Sequence, residues 1–223
     1  MSVAVVTGAF GALGRVVVSE LAKLGYSVAA IDVAPAPPHT DAKLALGGVD
    51  LADEPAVVAA YATVAEKLGS LDALVNIAGG FTWEPIETGS IDSWDSMFRI
   101  NLRTAAASCR AALPHLLKNG GAIVNVGAAG ATQPGTGMAP YAASKAGVRA
   151  LTESLAEELR GKKVRVNAIL PTIIDTPANR SSMPDADTSA WVRPQAAAKV
   201  IAFLLSPEAG AITGASVPLS LAG

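Results

Sequence analysis

The sequence predicts a single-domain α/β protein: a doubly wound parallel sheet of the Rossmann type, with about seven strands and helices on both faces. Short runs of apolar, often β-branched residues alternate with longer helical patterns along the chain. The first run leads directly into a Gly-rich turn and a helix, which is the order of a nucleotide-binding βαβ unit. A hydrophobic fraction of 51% with few aromatic residues suits buried parallel strands and closely packed helices.

Length and charge narrow the possible functions. The 223 residues suffice for one large domain, so we expect residues 1–223 to form a single unit. A net charge of −2 offers no electrostatic footprint for nucleic acid or an anionic membrane. The chain has no apolar run of membrane-spanning length and no signal segment, and its single Cys109 cannot form an internal disulfide. We therefore expect a cytoplasmic protein with no nucleic-acid, membrane or metal partner.

The first strand and helix enclose the Gly-rich turn. The strand is predicted from Ser2 to Thr7 and the helix from Arg15 to Leu24. Glycine lets the backbone approach a pyrophosphate, and a helix N-terminus favours anions. The residues expected to contact this group are Gly8, Phe10, Gly11, Ala12, Leu13 and Gly14. The alternative is a tight turn that needs glycine only for helix packing.

The second strand, Tyr26 to Ile31, ends at Asp32. An acidic residue about twenty positions after the Gly-rich turn accepts hydrogen bonds from the adenine ribose, and it would repel a 2′-phosphate. No arginine or lysine lies between Asp32 and Lys43 to pair with such a phosphate. These residues predict NAD(H) as the preferred cofactor and NADP(H) as the less favoured one. A solvated carboxylate at a strand end is the alternative.

The ends of the third and fourth predicted strands contribute further candidate cofactor residues at the same edge of the sheet. Val49 to Leu51 is predicted as a short strand with Asp50 and Leu51 at the adenine, and Leu71 to Ile77 is the fourth strand. At and after the end of this strand, the residues expected near the cofactor are Asn76, Ala78 and Gly79. Those expected near the substrate are Phe81, Trp83 and, before the tyrosine helix, Met138. The remaining predicted elements are a helix from Asp53 to about Leu68, a helix from Ser90 or Asp92 to about Lys118, strands Gly121 to Val126 and Val164 to Leu170, a helix Pro194 to Leu205 and a strand Ala215 to Leu219.

One helix carries a tyrosine and a lysine that suit catalysis. Tyr141 precedes Lys145 by four positions in an Ala-rich run that continues to about Arg160, so both side chains lie on one face. A nearby ammonium favours phenolate, which predicts a tyrosine pKa below its usual value of roughly 10 and a usable general acid. The same spacing also arises by chance in helices, so its weight depends on the motifs around it.

Two other segments have unusual composition. Asn101 lies among apolar neighbours in the long helix, which predicts an irregularity there. This amide either holds a water, supports Lys145 or is simply a satisfied buried group. Thr172 to Trp191 is polar and interrupted by proline, which predicts a mobile substrate lid around 172–193. Met183 and Trp191 are expected to contact substrate there, unless the tryptophan packs the lid onto the body.

These motifs resemble the short-chain dehydrogenase/reductase family over essentially the whole chain. The residues that carry the resemblance are Thr7-Gly8 with Gly14, Asp50, Asn76 with Ala78-Gly79, Asn101, Tyr141 with Lys145, and Pro171 with Thr176. The resemblance implies one dinucleotide-binding domain that transfers hydride to or from nicotinamide, with Tyr141 as proton donor or acceptor. It further implies that Lys145 holds the nicotinamide ribose and that Asn101 completes a proton relay. Thr176 would contact the carboxamide end of the cofactor, and Pro171 and Ile174 would also bind the cofactor.

The chain departs from that family at an important position. Ala128 stands thirteen positions before Tyr141, where the family has a catalytic serine. Smaller departures are Ala12 and Thr172, where glycine is usual. Loss of a donor to the reacting oxygen typically costs on the order of a hundred- to a thousandfold in rate. Either the chain is catalytically poor, or its substrate does not need that donor.

Within the family, the quinonoid dihydropteridine reductases are similar in these unusual places. The similar segments are Gly79-Gly80 before an aromatic residue, the alanine at 128, Pro134-Gly135 with Met138, and the lid from Asp175-Thr176-Pro177 to Trp191. A quinonoid dihydropterin is electron-poor, so hydride can add without a polarising hydroxyl and Tyr141 need only supply a proton. Asn101 has no counterpart in those reductases, so the likeness is incomplete.

Three functions are therefore open. The first is an NADH-dependent reductase of a quinonoid dihydropterin-like compound. The second is a carbonyl or alcohol oxidoreductase in which Thr132 or Thr136 replaces the lost hydroxyl, and the third is a non-catalytic NAD-binding interaction module. Retention of Tyr141 and Lys145 argues against the third. The Ala- and Leu-rich helices at 92–118 and 142–160, which pair across a two-fold axis in the resembled family, predict a homodimer or homotetramer.

Overall fold

A computed structural model describes residues 2–220 as alternating strands and helices. The strands are β1 (Val3–Thr7), β2 (Ser27–Ile31), β3 (Leu44–Leu46), β4 (Ala73–Asn76), β5 (Gly121–Val126), β6 (Val164–Pro171) and β7 (Ser216–Leu219). The helices are α1 (Ala12–Lys23), α2 (Glu54–Leu68), α3 (Ile91–Met97), α4 (Thr104–Asn119), α5 (Ala139–Glu158), α6 (Pro177–Ser182) and α7 (Pro194–Leu205). A π-helix (Phe98–Arg103) joins α3 to α4, and short 3₁₀ turns lie at Ala129–Ala131 and Pro207–Ala209.

The described strands form one parallel sheet, in the order β3-β2-β1-β4-β5-β6-β7. The chain order reverses between β1 and β4, and such a switch point opens a crevice at the carboxyl ends of the strands. The doubly wound, Rossmann-type class predicted from the alternating pattern is thus confirmed.

Apolar cores lie on both faces of the sheet. Successive β1 side chains alternate between them, so Ala4 and Val6 join the core with α1 and α7. Val3 and Val5 join the core formed with α2 and α4. Because helices cover both faces, β1 is buried at every position and shows no polar alternation.

The third strand lies earlier than predicted. Leu44–Leu46 pairs with β2, whereas Val49 to Leu51 lies outside the sheet, so that assignment was wrong. Gly48 has a φ of +73°, and its amide donates to the Ala34 carbonyl, so the chain turns away before Val49. Asp50 consequently lies in the turn that leads to α2.

The helix predicted to run to about Lys118 is irregular at the expected place. Ser90 caps its start by accepting a hydrogen bond from the Asp92 amide at 3.1 Å. The π-helix contains Asn101, whose side chain is buried. A π-helical turn often occurs where function needs a particular side-chain position, and here it directs Asn101 toward the tyrosine helix.

Buried polar side chains connect the middle of the sheet to α5. Asn76 Nδ2 donates to Asn125 Oδ1 at 2.9 Å, and Asn125 Nδ2 donates to Thr152 Oγ1 at the same distance. Thr7 Oγ1 reaches Asn76 Oδ1 at 3.5 Å. These bonds link β1, β4, β5 and α5, and thereby set the position of the tyrosine helix above the carboxyl ends of the strands.

Within residues 2–220, no helix combines the length and apolar character that crossing a bilayer requires. The same residues contain no group of His, Cys, Asp and Glu side chains arranged to hold a metal ion.

Candidate active site

A cavity of about 570 Å³ opens at the carboxyl ends of the central strands. It is lined by Gly8, Phe10, Gly11, Ala12, Leu13, Gly14, Asp32, Val33, Ala34, Val49, Asp50, Leu51, Ile77, Ala78, Gly79, Arg99, Ile100, Thr104 and Thr176. The Gly-rich turn has no room for side chains at two of its glycines. A Cβ on Gly8, where φ is +62°, would lie 2.7 Å from the Ala78 amide nitrogen, and one on Gly14 would lie 2.1 Å from the Gly8 carbonyl oxygen. Glycine therefore allows the close approach of backbone that the turn requires.

The lining fits a nicotinamide dinucleotide. Helix α1 begins at the Gly-rich turn and has no acidic residue in its first turn, so its amides can bind a pyrophosphate. Asp32 closes the adjacent edge, because its Oδ2 accepts from the Phe10 amide at 2.9 Å and its Oδ1 from the Ala34 amide at 3.0 Å. Each carboxylate oxygen retains a further lone pair that a ribose hydroxyl can use.

Asp50 is the second acidic residue in the lining of the same cavity. Its Oδ1 accepts from the Ala52 amide at 2.9 Å, and its Oδ2 contacts the Arg99 guanidinium. The Ala52 hydrogen bond, followed by the hydrogen bond and charge of Arg99, holds the pKa of Asp50 below its ordinary value. Asp50 is therefore a fixed carboxylate in the lining of the cavity.

Tyr141 and Lys145 both lie on α5, as the spacing predicted, but their electrostatics differ from the prediction. Burial raises the pKa of Tyr141 to about 12 and lowers the pKa of Lys145 to about 8. The expectation that the lysine lowers the tyrosine pKa was wrong for this structure. Lys145 Nζ donates to the Val126 carbonyl at 2.8 Å, while the phenol is desolvated beside the ring of Phe81, with ring centroids 4.9 Å apart.

Asn101 joins three segments of the site. Its Oδ1 accepts from the Gly80 amide at 2.9 Å, and its Nδ2 donates to Ser144 Oγ at 2.9 Å. Ser144 Oγ in turn donates to the Tyr141 carbonyl at 2.7 Å. The side chain of Asn101 therefore positions the tyrosine helix, and its hydrogen bonds go to Gly80, Ser144 and Met97 Sδ rather than to Lys145.

Gly79 lies between the cavity and the lysine. A Cβ at this position would be 2.4 Å from Asn101 Oδ1 and 3.4 Å from Lys145 Nζ. Gly79 also lines the cavity, so only this glycine separates the Lys145 ammonium from the cavity on that side. A substrate or cofactor group that enters past Gly79 can thus meet the lysine.

The position at which the resembled family has a serine is occupied by the buried methyl group of Ala128, shortly after β5. Thr132 is exposed, and its hydroxyl donates to the Ala129 carbonyl at 2.8 Å. Thr136 is also exposed, and its carbonyl accepts from Trp83 Nε1 at 2.9 Å. Thr132 therefore has a local partner, which argues against its replacing the serine.

Two loops meet beside Tyr141. Trp83 donates to the Thr136 carbonyl, and the Glu84 amide donates to the Gly137 carbonyl at 2.7 Å. A Cβ on Gly137 would lie 2.5 Å from the Trp83 indole, so the indole packs directly on that glycine. We call these contacts the loop latch. Phe81, whose ring contacts that of Tyr141, and Trp83 are both more than half exposed, and their contact with substrate stays a prediction.

Met138 packs against the turn that follows Ala128. A Cβ on Gly130 would lie 2.8 Å from its Cε, and one on Gly135 would lie 3.5 Å from its Sδ. The thioether thus covers the turn next to the start of α5.

The lid is attached at both of its ends. Ile174 pairs with Val192 in a parallel bridge, and Thr176 Oγ1 caps α6 by accepting from the Asn179 amide at 3.2 Å. Met183 is half-buried. Trp191 is buried, with 5% of its surface exposed, so it packs the lid onto the body. This burial favours the alternative that the tryptophan packs the lid onto the body, and its contact with substrate stays a prediction.

The cavity collects most of the predicted cofactor residues. Those that lie outside its lining are Asn76, Tyr141, Lys145, Pro171 and Ile174. Lining residues that sequence reasoning missed are Val33, Ala34, Val49, Ile77, Arg99, Ile100 and Thr104. Several directly adjoin predicted residues, which is a usable signal, whereas nothing in the sequence singles out Arg99.

Comparison with known proteins gives a consistent result. A family model described as short chain dehydrogenase matches residues 2–187. The D-threitol dehydrogenase of Mycolicibacterium smegmatis is 35% identical, over 96% of this chain and 90% of that enzyme. The 3-oxoacyl-[acyl-carrier-protein] reductase of Thermotoga maritima is 29% identical, over 95% of this chain and 93% of that enzyme.

Solved structures are similar over nearly the whole chain. The 3-ketoacyl-(acyl-carrier-protein) reductase of Brucella melitensis, complexed with NADH, is 30% identical with a TM-score of 0.88 and coverage of 98% of this chain and 96% of that one. Carveol dehydrogenase of Mycobacterium avium, in complex with NAD, is 28% identical with a TM-score of 0.86 and coverage of 98% and 95%. None of these four proteins is a dihydropteridine reductase.

Proposed function

The chain belongs to the short-chain dehydrogenase family, and we propose that it is an NADH-dependent reductase of an electron-poor conjugated compound such as a quinonoid dihydropterin. The broader class, an NAD(H)-dependent oxidoreductase, follows from the family and from relatives solved with NADH and NAD. Bound nicotinamide supplies the hydride. The chain's own residues bind and orient the reactants and handle the proton.

Tyr141 is the proposed proton donor. Its raised pKa keeps the phenol protonated at neutral pH, so the side chain holds a proton that a reduced substrate can take up. Lys145, with its lowered pKa, lies against the Val126 carbonyl and is the proposed contact for the nicotinamide ribose. Asn101 acts through Ser144 and Gly80 as a positioning residue for both loop and helix.

The observation that carries the choice of substrate is the methyl group of Ala128. A simple ketone needs a donor on its oxygen as negative charge develops there, and one such donor is typically worth on the order of a hundredfold or more in rate. A quinonoid dihydropterin spreads the added electrons over a conjugated ring system, so a single proton from Tyr141 suffices. The exposed ring of Phe81 beside the phenol, with the exposed indole of Trp83 on the same loop, also suits a flat ring.

A carbonyl or alcohol oxidoreductase is the second candidate. It is favoured by the relatives, which include a D-threitol dehydrogenase and a 3-oxoacyl-[acyl-carrier-protein] reductase. This function requires another group to take the place of the serine. Thr136 is the remaining hydroxyl candidate, because that of Thr132 donates to Ala129.

The test is NADH oxidation by the purified protein, with chemically generated quinonoid dihydropterin and a panel of ketones and quinones as substrates. We expect the pterin to be turned over much faster than any ketone. Efficient turnover of ketones alone would favour the second candidate. NADH binding without turnover of any compound would favour a non-catalytic NAD-binding module.

For the cofactor, we propose a preference for NADH over NADPH. Asp32 supports it, because a carboxylate at the ribose repels a 2′-phosphate. Arg15 is a nearby cation, but its Nε donates to the Phe10 carbonyl at 2.7 Å. Running each assay with NADPH in parallel tests this preference, and equal kcat/KM values for the two cofactors would contradict it.

We also propose that the protein is a cytoplasmic homodimer or homotetramer that pairs through α4 and α5. Support comes from the apolar composition of these helices and from the family's symmetric assemblies. Light scattering at micromolar concentration tests the assembly, and a monomeric mass would contradict it.

A further inference from the structure

The nucleotide cavity has an unusual balance of charge. Among the described residues that line it, Asp32 and Asp50 are acidic and Arg99 alone is basic. A nicotinamide dinucleotide carries a pyrophosphate with two negative charges. Without the guanidinium, a doubly anionic ligand would enter a cavity that itself carries two carboxylates, and the repulsion would weaken binding.

Arg99 is held beside Asp50 in the lining of this cavity. It lies in the π-helix and contacts the Asp50 carboxylate, while 52% of its side chain is exposed. Arg103, four positions later, donates from Nε to the Ala52 carbonyl at 2.8 Å. The π-helix thus fixes both the side chain and the backbone of the turn around Asp50–Ala52, and it places one guanidinium in the cavity wall.

We propose that Arg99 is a cofactor-binding residue that sets the affinity for the adenosine half of the dinucleotide. It neutralises Asp50 and orients its carboxylate, and it offers N–H donors to a ligand in the cavity. The inference rests on the proposed dinucleotide function and adds a residue to it. Asp50 Oδ1 is occupied by the Ala52 amide and Oδ2 by Arg99, so the guanidinium decides how that carboxylate meets the ligand.

The test is direct binding of NADH, followed by its fluorescence, so that it does not depend on turnover. We expect Arg99→Gln to raise the Kd about threefold to tenfold, as one partly screened charge interaction allows. Arg99→Lys keeps the charge without the planar fork and should give an intermediate Kd. Arg160→Gln is the matched control, because Arg160 is an exposed arginine paired with Glu157, and its Kd should equal that of the wild type.

Two further measurements separate an electrostatic role from a structural one. Raising the salt concentration to about 0.5 M should shrink the difference between Arg99→Gln and the wild type, because exposed charges are screened. Reduced nicotinamide mononucleotide lacks the adenosine and one of the two phosphates, so its affinity should fall clearly less than that of NADH. Thermal melting of each variant checks that it folds, and Arg99→Lys provides a second variant if Arg99→Gln does not.

The outcomes also distinguish this inference from the proposed function. If the wild type binds NADH and Arg99→Gln binds it equally well, the role of Arg99 is wrong and the function stands. An equal loss for NADH and the mononucleotide would also overturn the role, since it would indicate general damage. If the wild type binds neither, the proposed function itself fails.

Discussion

At the scale of single residues, burial shifts the two central side chains in opposite directions. Desolvation disfavours the charged form of each, so the phenol of Tyr141 stays neutral and the ammonium of Lys145 becomes easier to deprotonate. A neutral phenol at physiological pH carries a proton that it can donate, and a substrate that has accepted a hydride needs such a proton. The same burial makes the lysine costly to keep, since its charge is taken out of water.

Tyr141→Phe removes the proton and leaves the ring. We expect kcat for the best substrate to fall about a hundredfold or more, since general acid catalysis contributes roughly 10² to 10⁴. The Kd for NADH should change less than about twofold, because Tyr141 lies outside the lining of the nucleotide cavity. Steady-state kinetics and fluorescence titration measure the two quantities. Retained turnover in the phenylalanine variant would mean that another group donates the proton.

Lys145→Met should stabilise the fold while it destroys activity. At neutral pH the wild type carries a buried charge, whose pKa is lowered from 10.5 to about 8. Removing it should raise the free energy of unfolding by about 2 kcal/mol, after allowance for the lost hydrogen bond to the Val126 carbonyl. Urea unfolding of the variant and the wild type at pH 7 measures this gain.

The gain from Lys145→Met should depend on pH in a defined way. Between pH 8 and pH 10.5 the unfolded wild type binds more protons than the folded one, so wild-type stability rises with pH. The advantage of the variant is therefore largest below pH 8 and vanishes near pH 10.5. A constant difference between pH 7 and pH 10 would show that the lysine is not desolvated.

The spacing of Tyr141 and Lys145 was enough to predict both as site residues, but it did not predict the direction of the shift in the tyrosine pKa. Helical periodicity is local, so four positions are enough to place both side chains on one face. The pKa shifts arise from burial, and a residue that covers the phenol, Phe81, lies far away along the chain. Arg99 was missed for the same reason, because its partner Asp50 is 49 positions away in the sequence.

At the scale of elements, the loop latch holds the loop that carries Phe81, whose ring lies beside the phenol of Tyr141. Gly137→Ala would force a residue with a φ of +74° to carry a Cβ 2.5 Å from the Trp83 indole. We expect kcat/KM to fall about tenfold, since small displacements of positioning residues are costly, while the Kd for NADH is unchanged. Kinetics and NADH titration together measure the effect.

A second glycine provides the control for the loop latch. Gly161 has a φ of +77°, and a Cβ there would meet nothing within 4 Å. Gly161→Ala should therefore cost about 1 kcal/mol of stability from backbone strain alone and leave kcat/KM unchanged. If both variants lost activity equally, the contact between Trp83 and Gly137 would have no role in the site.

Short elements were harder to predict than long ones. The long helix and its irregularity at Asn101 followed from composition, because a polar residue amid apolar neighbours disturbs a helix. The third strand was misplaced, since both Leu44–Leu46 and Val49 to Leu51 have a suitable pattern and only pairing with β2 decides between them.

At the scale of the whole molecule, the fold class was predictable because the same connection rule applies to every strand–helix–strand unit. Parallel strands need crossover helices, and right-handed crossovers then leave few topologies. The strand ends that meet at the switch point were likewise predictable, which is why most cofactor residues line one cavity. The burial of Trp191 could not be decided from the sequence, because a polar, Pro-containing segment gives no signal of which side chain anchors it to the rest of the protein.

The most direct test of the substrate proposal restores the missing hydroxyl. Ala128→Ser places a donor where the family has one, and kcat/KM is measured with quinonoid dihydropterin and with a ketone, for the variant and the wild type. We expect ketone reduction to rise at least about tenfold and pterin reduction to change less than about threefold. Efficient ketone reduction by the wild type, with no gain in Ala128→Ser, would contradict the proposal that the substrate needs no second donor.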